Sequence, residues 1–319
     1  MWNSLLCNAG SSYNTATAHQ PGVHDDRLDD NWFTEIYAQE SIAFSLRIRR
    51  KLHEETTPYQ TISIYETETF GNLMAIDGCV MLSGRDNFLY HEMMAHPVLF
   101  THRKPKRVAI IGGGDCGTLQ EVLRHPNIEE VWQAEIDERV TRLSETWFPE
   151  LCTANTDPRA NFFFGDGIKW IQDTDPGYFD VIIVDSTDPV GPAEGLFTRD
   201  FYRDCFMALG ENGLLVQQTE SPLMDESKSI IRKAHEDMRG AGYEHTKTLL
   251  FPQPVYPTGW WSCTLAGKTT PPEYFREADA REMPFPTRYY TADVHAAAMA
   301  HPPFLQEMIG EDRPLGGEG

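Results

Sequence analysis

The spacing of apolar residues changes partway along the chain, and the change predicts two kinds of structure. In residues 32–83 apolar and polar positions alternate, most regularly in residues 45–49 and 61–65. Alternation with a period of two is typical of strands that bury one face. The pairs Gly71-Asn72 and Asp77-Gly78 mark turns between such strands. This region therefore predicts a small antiparallel sheet.

From residue 107 onwards, short apolar runs alternate with longer segments of helical period. Strands are predicted at residues 107–111, 130–136, 160–164, 179–185, 213–218, 243–251 and 260–266. One helix is predicted before this region at 88–100, and others near residues 117–124, 137–147, 167–172, 199–209 and 225–240. This alternation predicts an α/β fold, with a mostly parallel Rossmann-like sheet to which the last strands add antiparallel.

The same pattern divides the chain into three parts. Residues 1–30 are rich in Ser, Asn, Thr, Asp and Gly, which predicts a mobile tail without a core of its own. Residues 31–103 are expected to form the small N-terminal β domain. Residues 104–319 are expected to form the Rossmann-like domain with a C-terminal extension.

A glycine-rich turn follows the first strand of the predicted parallel sheet. Gly112, Gly114 and Gly117 fit the spacing G-x-G-x-x-G between an apolar strand and the start of a helix. Glu135 ends the next strand, about twenty residues on, where an acid accepts hydrogen bonds from the ribose hydroxyls of a nucleoside. The order therefore predicts a bound nucleoside, with a merely solvated strand-end acid as the alternative for Glu135.

Acidic residues also end the other central strands. Asp166 follows the third strand between two glycines, and Asp185 ends the fourth strand with Asp188 close behind. Ligands of open α/β sheets bind at these carboxyl ends. Asp166 fits either a bond to an adenine amine or a turn-forming Asp before glycine. Asp185 and Asp188 fit a cationic co-substrate, a general base or both, while a helix N-cap accounts comfortably for only one of them.

Asp115 lies inside the glycine turn, and it changes the kind of nucleoside to be expected. A dinucleotide places its pyrophosphate on such a turn and on the helix N-terminus. A carboxylate at this position repels pyrophosphate and also repels the carboxylate of S-adenosylmethionine, whereas it attracts an ammonium group. The turn therefore favours a nucleoside that carries a positive tail.

Composition narrows the classes of partner. The formal net charge of −21 argues against nucleic acid and anionic membranes, and it is compatible with cationic small molecules. The six cysteines are scattered without a C-x-x-C pair, so we expect a reducing compartment and neither a disulfide framework nor a metal site. Because the sequence shows no apolar run of spanning length and no signal peptide, we expect a cytoplasmic protein.

Four motifs together resemble the spermidine synthase (polyamine aminopropyltransferase) family. They are Gly112-Gly113-Gly114-Asp115, Glu135-Ile136-Asp137, Gly165-Asp166-Gly167 and the run from Asp185 to Pro192. The resemblance implies a Rossmann-like sheet of the class I methyltransferase type. It also implies transfer of an aminopropyl group from decarboxylated S-adenosylmethionine to the diamine putrescine, which releases methylthioadenosine. That nucleoside is a co-substrate, so no cofactor is implied, and a homodimer or homotetramer is expected.

The resemblance also assigns residues to the two halves of the site. For the nucleoside and its aminopropyl tail they are Gln60, His91, Gly112, Gly114, Asp115, Glu135, Asp166, Gly167 and Pro192. For the diamine they are Trp32, Tyr90, Asp185, Asp188 and Tyr256. Within the second set, Asp185 is the implied proton acceptor.

Two departures from the family pattern accompany the match. Ser83-Gly84 stands where relatives often have Thr-Glu. The glycine turn ends in Cys116-Gly117 where relatives have Gly-Gly or Gly-Ala. Neither departure removes a functional group. The alternatives are aminopropyl transfer to cadaverine, agmatine or spermidine, an S-adenosylmethionine-dependent N-methyltransferase on the same scaffold, a non-catalytic polyamine-binding protein, and a dinucleotide dehydrogenase, which Asp115 disfavours.

Overall fold

The first sheet is built from the alternating region of the chain. The structure is a computed structural model that describes residues 28–38, 40–189, 191–224 and 229–310. Most of the predicted N-terminal tail, residues 1–27, lies outside the described residues. Five strands follow one another in an antiparallel sheet in chain order. They are β1 (Trp32–Tyr37), β2 (Ile42–Thr56), β3 (Thr61–Thr67), β4 (Asn72–Ile76) and β5 (Cys79–Ser83).

The second sheet has seven strands in the order β11-β12-β10-β9-β6-β7-β8. Its strands are β6 (Arg107–Gly112), β7 (Glu130–Glu135), β8 (Ala160–Phe164), β9 (Phe179–Asp185), β10 (Leu209–Gln218), β11 (His245–Pro252) and β12 (Trp260–Gly267). Strands β6 to β10 pair parallel, whereas β12 adds antiparallel to β10 and β11 adds antiparallel to β12. The predicted fold class is confirmed, including the antiparallel addition of the last two strands.

Helices cover the second sheet. They are α1 (Asn87–Thr101), α2 (Gly117–Leu123), α3 (Glu138–Trp147), α4 (Gly167–Gln172), α5 (Arg199–Ala208), α6 (Ile230–Ala241), α7 (Glu277–Arg281), α8 (Ala292–Ala298) and α9 (Pro303–Ile309). Strand β10 begins earlier than predicted, because Leu209 already pairs with Phe179 across an irregularity in the register. In the described part of the chain, no helix is both long enough and apolar enough to cross a membrane.

The two faces of the second sheet bury alternate residues of its central strands. Val108 and Ile110 of β6 belong to one core with residues of α1 and α2, while Ala109 and Ile111 belong to another with residues of α5 and α6. Burial on both faces explains why β6 reads as a continuous apolar run. The arrangement fixes the carboxyl ends of β6, β7 and β9 at one edge, where the glycine turn begins.

The first sheet packs against the same edge of the second domain. Ile62, Ile64 and Met74 of the first sheet share a core with Val140 and Leu143 of α3. Helix α1, which was predicted within the first domain, packs against α2 and against strands of the second sheet. The predicted limits of the two domains remain a prediction, but both sheets lie close enough to contribute side chains to one site.

Candidate active site

The glycine turn and the end of β9 are fastened together through the backbone. Gly112 pairs with Asp185 across the two parallel strands, and the Gly113 amide donates to the Asp185 carbonyl at 2.7 Å. Gly112 has a φ of +84°, and a Cβ there would lie 2.2 Å from the Asp185 carbonyl oxygen. Only glycine meets both requirements. The turn and Asp185 therefore form one rigid unit.

Glu135 occupies the position beside this turn that the spacing predicts. Its Oε1 accepts a bond from the Asp137 amide at 2.9 Å, and a Cβ on Gly114 would come within 2.8 Å of its Oε2. Burial raises the pKa of Glu135 to about 7; the charges of Asp137 and Asp185 act the same way, and the backbone donors oppose them. A buried carboxylate with so few donors suits a ligand that brings hydroxyl groups to it.

Asp137 also belongs to this half, although the sequence motifs assign no role to it. Its Oδ2 accepts bonds from the Thr57 hydroxyl at 2.7 Å and from Gln60 Nε2 at 3.1 Å. Its Oδ1 accepts the Arg139 amide as the N-cap of α3. Gln60 thus reaches the nucleoside half through Asp137. The N-cap position before a predicted helix was the available signal, although it does not predict the partners in the first sheet.

Asp166 and Gly167 lie at the end of β8, and Asp166 caps a helix. Its Oδ1 accepts both the Ile168 amide at 2.9 Å and the Lys169 amide at 3.2 Å. A Cβ on Gly167 would lie 2.8 Å from a methyl group of Ile111, so close packing requires the glycine. The side chain of Pro192 lies outside the described residues. The capping role agrees with the turn interpretation of Asp166, and its assignment to adenine stays a prediction.

Asp115 has a partner in α1 that its sequence position did not indicate. Its Oδ1 accepts the Gly117 amide at 2.7 Å, and its Oδ2 lies 3.1 Å from His91 Nε2. Burial acts to lower the pKa of His91, but the charge and hydrogen bond of Asp115, together with the charges of Asp185 and Glu121, make the net shift upward. The carboxylate is therefore held in place, and part of its charge is already countered by His91.

Asp185 connects the nucleoside half to a neighbouring cavity. Its Oδ1 accepts the Tyr90 hydroxyl at 2.8 Å, and its Oδ2 accepts the Thr118 hydroxyl at 2.6 Å. Burial raises the pKa of Asp185, as does the charge of Asp115. His91 and the two hydroxyl donors act in the opposite direction. The result is a fixed carboxylate whose pKa lies above the ordinary range for Asp.

The neighbouring cavity has an acidic and aromatic lining. Asp188, Tyr90 and Tyr256 all line it, and the rings of Tyr90 and Tyr256 meet edge to face at 5.9 Å. Burial raises the pKa of Asp188 to about 6, with a further contribution from Glu35. Within the described residues its donor is Gln218 Nε2 at 3.5 Å, a weak contact. Asp188 is thus poorly compensated by the protein and is suited to a cationic ligand.

The structure does not bring Trp32 to this cavity. Trp32 is not among the lining residues, and the Arg47 guanidinium lies 5.9 Å from the centre of its ring. Two carboxylates that no sequence motif indicates lie nearby: Glu35 lines the cavity, and Glu220 is close enough to Asp188 to sense its charge. Glu35 of β1 accepts bonds there from the Tyr37 hydroxyl and, at 3.0 Å, from the Val80 amide.

Glu220, the second missed carboxylate, follows β10 at a strained position. Its φ is +58°, in the left-handed region that is uncommon for residues other than glycine. Burial raises its pKa to about 8, and the charges of Asp188 and Glu40 add to the shift. Glu35 belongs to the first sheet and Glu220 follows a strand of the second, and neither lies in a local motif, so no short pattern in the sequence points to them.

Comparisons with known proteins agree with this geometry. The family model described as the spermine/spermidine synthase domain matches residues 87–277, and that described as the spermidine synthase tetramerisation domain matches residues 31–84. The chain is 60% identical over 282 residues to a polyamine aminopropyltransferase of Thioalkalivibrio sulfidiphilus, covering 88% of this chain and 99% of that protein. It is also 60% identical over 276 residues to one of Nitrosococcus oceani, covering 86% and 96%.

Solved structures give the same result. A spermidine synthase in complex with the transition-state analogue AdoDATO matches with a TM-score of 0.85 and 34% identity, covering 89% of this chain and 96% of that one. The spermidine synthase of Thermotoga maritima matches with a TM-score of 0.83 and 34% identity, covering 89% and 95%. The expected resemblance is confirmed, and the chain belongs to the spermine/spermidine synthase family.

Proposed function

We propose that the protein is a polyamine aminopropyltransferase of the spermidine synthase type. It transfers the aminopropyl group of decarboxylated S-adenosylmethionine to putrescine, giving spermidine and 5'-methylthioadenosine. The observation that carries this proposal is the position of Asp185. Its backbone joins the glycine turn, and its carboxylate is held by Tyr90, which lines the acidic cavity. A base in that place faces a nucleoside on one side and an amine on the other.

The nucleoside half binds the donor through groups fixed at the sheet edge. Glu135 accepts hydrogen bonds from the two ribose hydroxyls, because it is a buried carboxylate whose own donors are backbone amides, with the Asp137 amide bound to Oε1. Asp166 receives the adenine amine on its Oδ2, since both of its capping bonds go to Oδ1. Asp115 and His91 hold the aminopropyl end. The remaining members of this half are Gln60, Gly112, Gly114, Gly167 and Pro192.

The acceptor half binds the diamine by charge and by aromatic contact. Tyr90 and Asp185 hold the reacting nitrogen, and Asp188 with Tyr256 holds the part of the diamine that lies further along the cavity. Glu220 lies near Asp188, whose charge contributes to the raised pKa of Glu220, and its carboxyl adds negative charge to this half once it ionises. An ammonium group is attracted both by the face of an aromatic ring and by a neighbouring carboxylate. The assignment of Trp32 to the diamine is supported only by the family resemblance.

The reaction is a displacement at carbon. The neutral amine nitrogen attacks the methylene carbon next to the sulfonium, the carbon–sulfur bond breaks with its electrons going to sulfur, and the nitrogen passes a proton to Asp185. An ordinary Asp, with a pKa of about 3.9, is a poor base for an alkylammonium with a pKa of about 10.4. Burial raises the pKa of Asp185, and a nearby sulfonium lowers that of the amine, so the gap narrows from both sides.

The assembly and the location are parts of the same proposal. A family model for tetramerisation matches the first sheet, which supports an oligomer, and we propose a homodimer or homotetramer. The cysteines among the described residues carry free thiols, which agrees with a reducing compartment such as the cytoplasm. We propose no resident cofactor or metal, because the nucleoside is consumed as a co-substrate and the displacement requires neither.

The test is product analysis with decarboxylated S-adenosylmethionine and a panel of amines. We expect the highest kcat/KM with putrescine and lower values with cadaverine, agmatine and spermidine. Spermidine and methylthioadenosine should form in equal amounts. A preference for another amine would revise the acceptor while keeping the reaction. Binding of both substrates without any turnover would contradict the enzyme assignment and would favour a polyamine-binding protein.

A further inference from the structure

Thr118 makes a contact that none of the sequence motifs indicates. It is the second residue of α2, and its side chain is fully buried. Its hydroxyl donates to Asp185 Oδ2 at 2.6 Å, while the Tyr90 hydroxyl donates to the other oxygen at 2.8 Å. Because this buried hydroxyl donates its hydrogen bond to the proposed proton acceptor, it can influence the orientation and the ionisation of that carboxylate.

We propose that Thr118 is a positioning residue for proton transfer: its hydroxyl fixes the orientation of the Asp185 carboxylate and keeps that carboxylate ionised during turnover. The inference rests on the proposed function, in which Asp185 accepts the proton of the attacking amine. Thr118 itself does not touch the reacting atoms in this account. It acts through Asp185.

The geometry supports orientation first. The Asp185 carbonyl accepts the Gly113 amide, so the backbone of Asp185 is fixed, and Thr118 and Tyr90 then restrict rotation of its carboxylate. A carboxylate offers about four acceptor positions, and two donors leave room for the incoming amine. Because Thr118 stands on the helix that follows the glycine turn, it ties the proton acceptor to the element that holds the nucleoside.

The surroundings of Asp185 explain why a donor is needed there. The titratable groups that face it from the turn, β7, α1 and the segment after β11 are Asp115, Glu135, Tyr90, His91 and Tyr256. Burial and the charge of Asp115 raise the pKa of Asp185, and the hydroxyl of Thr118 is one of the three groups that lower it. Loss of that hydroxyl therefore favours the protonated acid.

Thr118→Val is the informative change, because valine keeps the shape of threonine and lacks the hydroxyl. With both substrates saturating, kcat measured against pH reports the ionisation of groups in the bound complex. We expect the acidic limb of the kcat profile to move to higher pH by about one unit, which corresponds to about a tenfold loss of kcat on that limb. At high pH, where Asp185 is ionised in both proteins, the loss should be smaller.

Three variants make the result interpretable. Thr118→Ser keeps the hydroxyl, so the acidic limb of its kcat profile should lie at the same pH as in the wild-type protein. Thr141→Val removes another buried hydroxyl, one without a hydrogen-bond partner in the described residues, and should leave the profile unchanged. Asp185→Asn shows whether the limb belongs to Asp185 at all. If Asp185→Asn keeps both the acidic limb and near-normal turnover, Asp185 is not the proton acceptor, and this result does not depend on the outcome for Thr118.

Binding of methylthioadenosine distinguishes positioning from a structural role. We expect its Kd in Thr118→Val to stay within about twofold of wild type, since the lost hydrogen bond goes to Asp185 and not to a group assigned to the nucleoside. An unshifted limb in Thr118→Val, with Asp185→Asn inactive, would overturn the proposal. A loss of equal size at every pH, accompanied by weaker methylthioadenosine binding, would also overturn it and would make Thr118 a packing residue.

Discussion

The two halves of the site are stabilised in different ways. In the nucleoside half, Glu135, Asp166 and Asp115 already accept bonds from backbone amides at the edge of a sheet that is buried on both faces. In the acceptor half, Asp188 and Glu220 carry raised pKa values, and within the described residues the side-chain donor to Asp188 is the weak contact of Gln218 at 3.5 Å. We therefore propose that hydrogen bonds preform the nucleoside half, whereas the acceptor half relies on charge that a cationic substrate completes.

Asp185 stands between the halves, so its replacement should have the largest effect. Asp185→Asn keeps the size and can still accept hydrogen bonds, but it cannot take the amine proton. We expect kcat to fall by about 10²- to 10⁴-fold while methylthioadenosine still binds. Steady-state kinetics and calorimetry measure the two quantities. Asp188→Asn is the matched control, and it should mainly raise the KM for putrescine; near-normal turnover in Asp185→Asn would place proton removal elsewhere.

Glu135→Gln tests the hydrogen-bonded half. The amide presents one acceptor in place of a charged pair, so the two ribose hydroxyls lose their charged partner. We expect affinity for the nucleoside to fall by about 10- to 100-fold, with the KM for putrescine changed much less. Calorimetric titration with methylthioadenosine measures the affinity for the nucleoside. Unchanged nucleoside affinity would mean that the ribose binds to other groups.

Glu220→Gln tests the charge-based half. Burial raises the pKa of Glu220 to about 8, so in the free protein its carboxylate ionises, and attracts the diamine more strongly, as the pH rises through that value. We expect the variant to raise the KM for putrescine by about three- to tenfold above pH 8, and to have less effect below it.

The control for Glu220→Gln is Glu273→Gln, which removes the same charge from an exposed position in the C-terminal segment. It should leave the KM for putrescine unchanged at every pH. An equal rise in both variants would attribute the effect to net charge alone. A fall in nucleoside affinity in Glu220→Gln would contradict the division between the two halves.

Asp115→Asn should give the smallest effect, on discrimination between donors. The decarboxylated donor ends in an ammonium, while S-adenosylmethionine adds a carboxylate that Asp115 repels. Because His91 already counters part of that charge, we expect the ratio of the two Kd values to narrow by only about threefold. Calorimetry with both donors measures the ratio in wild type and variant. An unchanged ratio would assign discrimination to the shape of the pocket.

The sequence predicts the hydrogen-bonded half better than the acceptor half, for a physical reason. Glu135 and the turn glycines follow a fixed spacing, since a strand, a tight turn and a helix constrain one another over a few residues. The contacts Asp137–Gln60 and His91–Asp115 join residues 77 and 24 positions apart, and Glu35 and Glu220 approach Asp188 from separate elements. Such contacts depend on how the two sheets pack, which no local pattern encodes.

The most direct test of the central claim is a competition between two donors. Wild-type protein is mixed with putrescine, decarboxylated S-adenosylmethionine and S-adenosylmethionine at equal concentrations, and the products are identified by mass spectrometry. The account predicts spermidine and methylthioadenosine, with no methylated amine above the level of a protein-free control. Methylated putrescine together with S-adenosylhomocysteine as the main products would contradict it, because the site would then use the intact donor for methyl transfer.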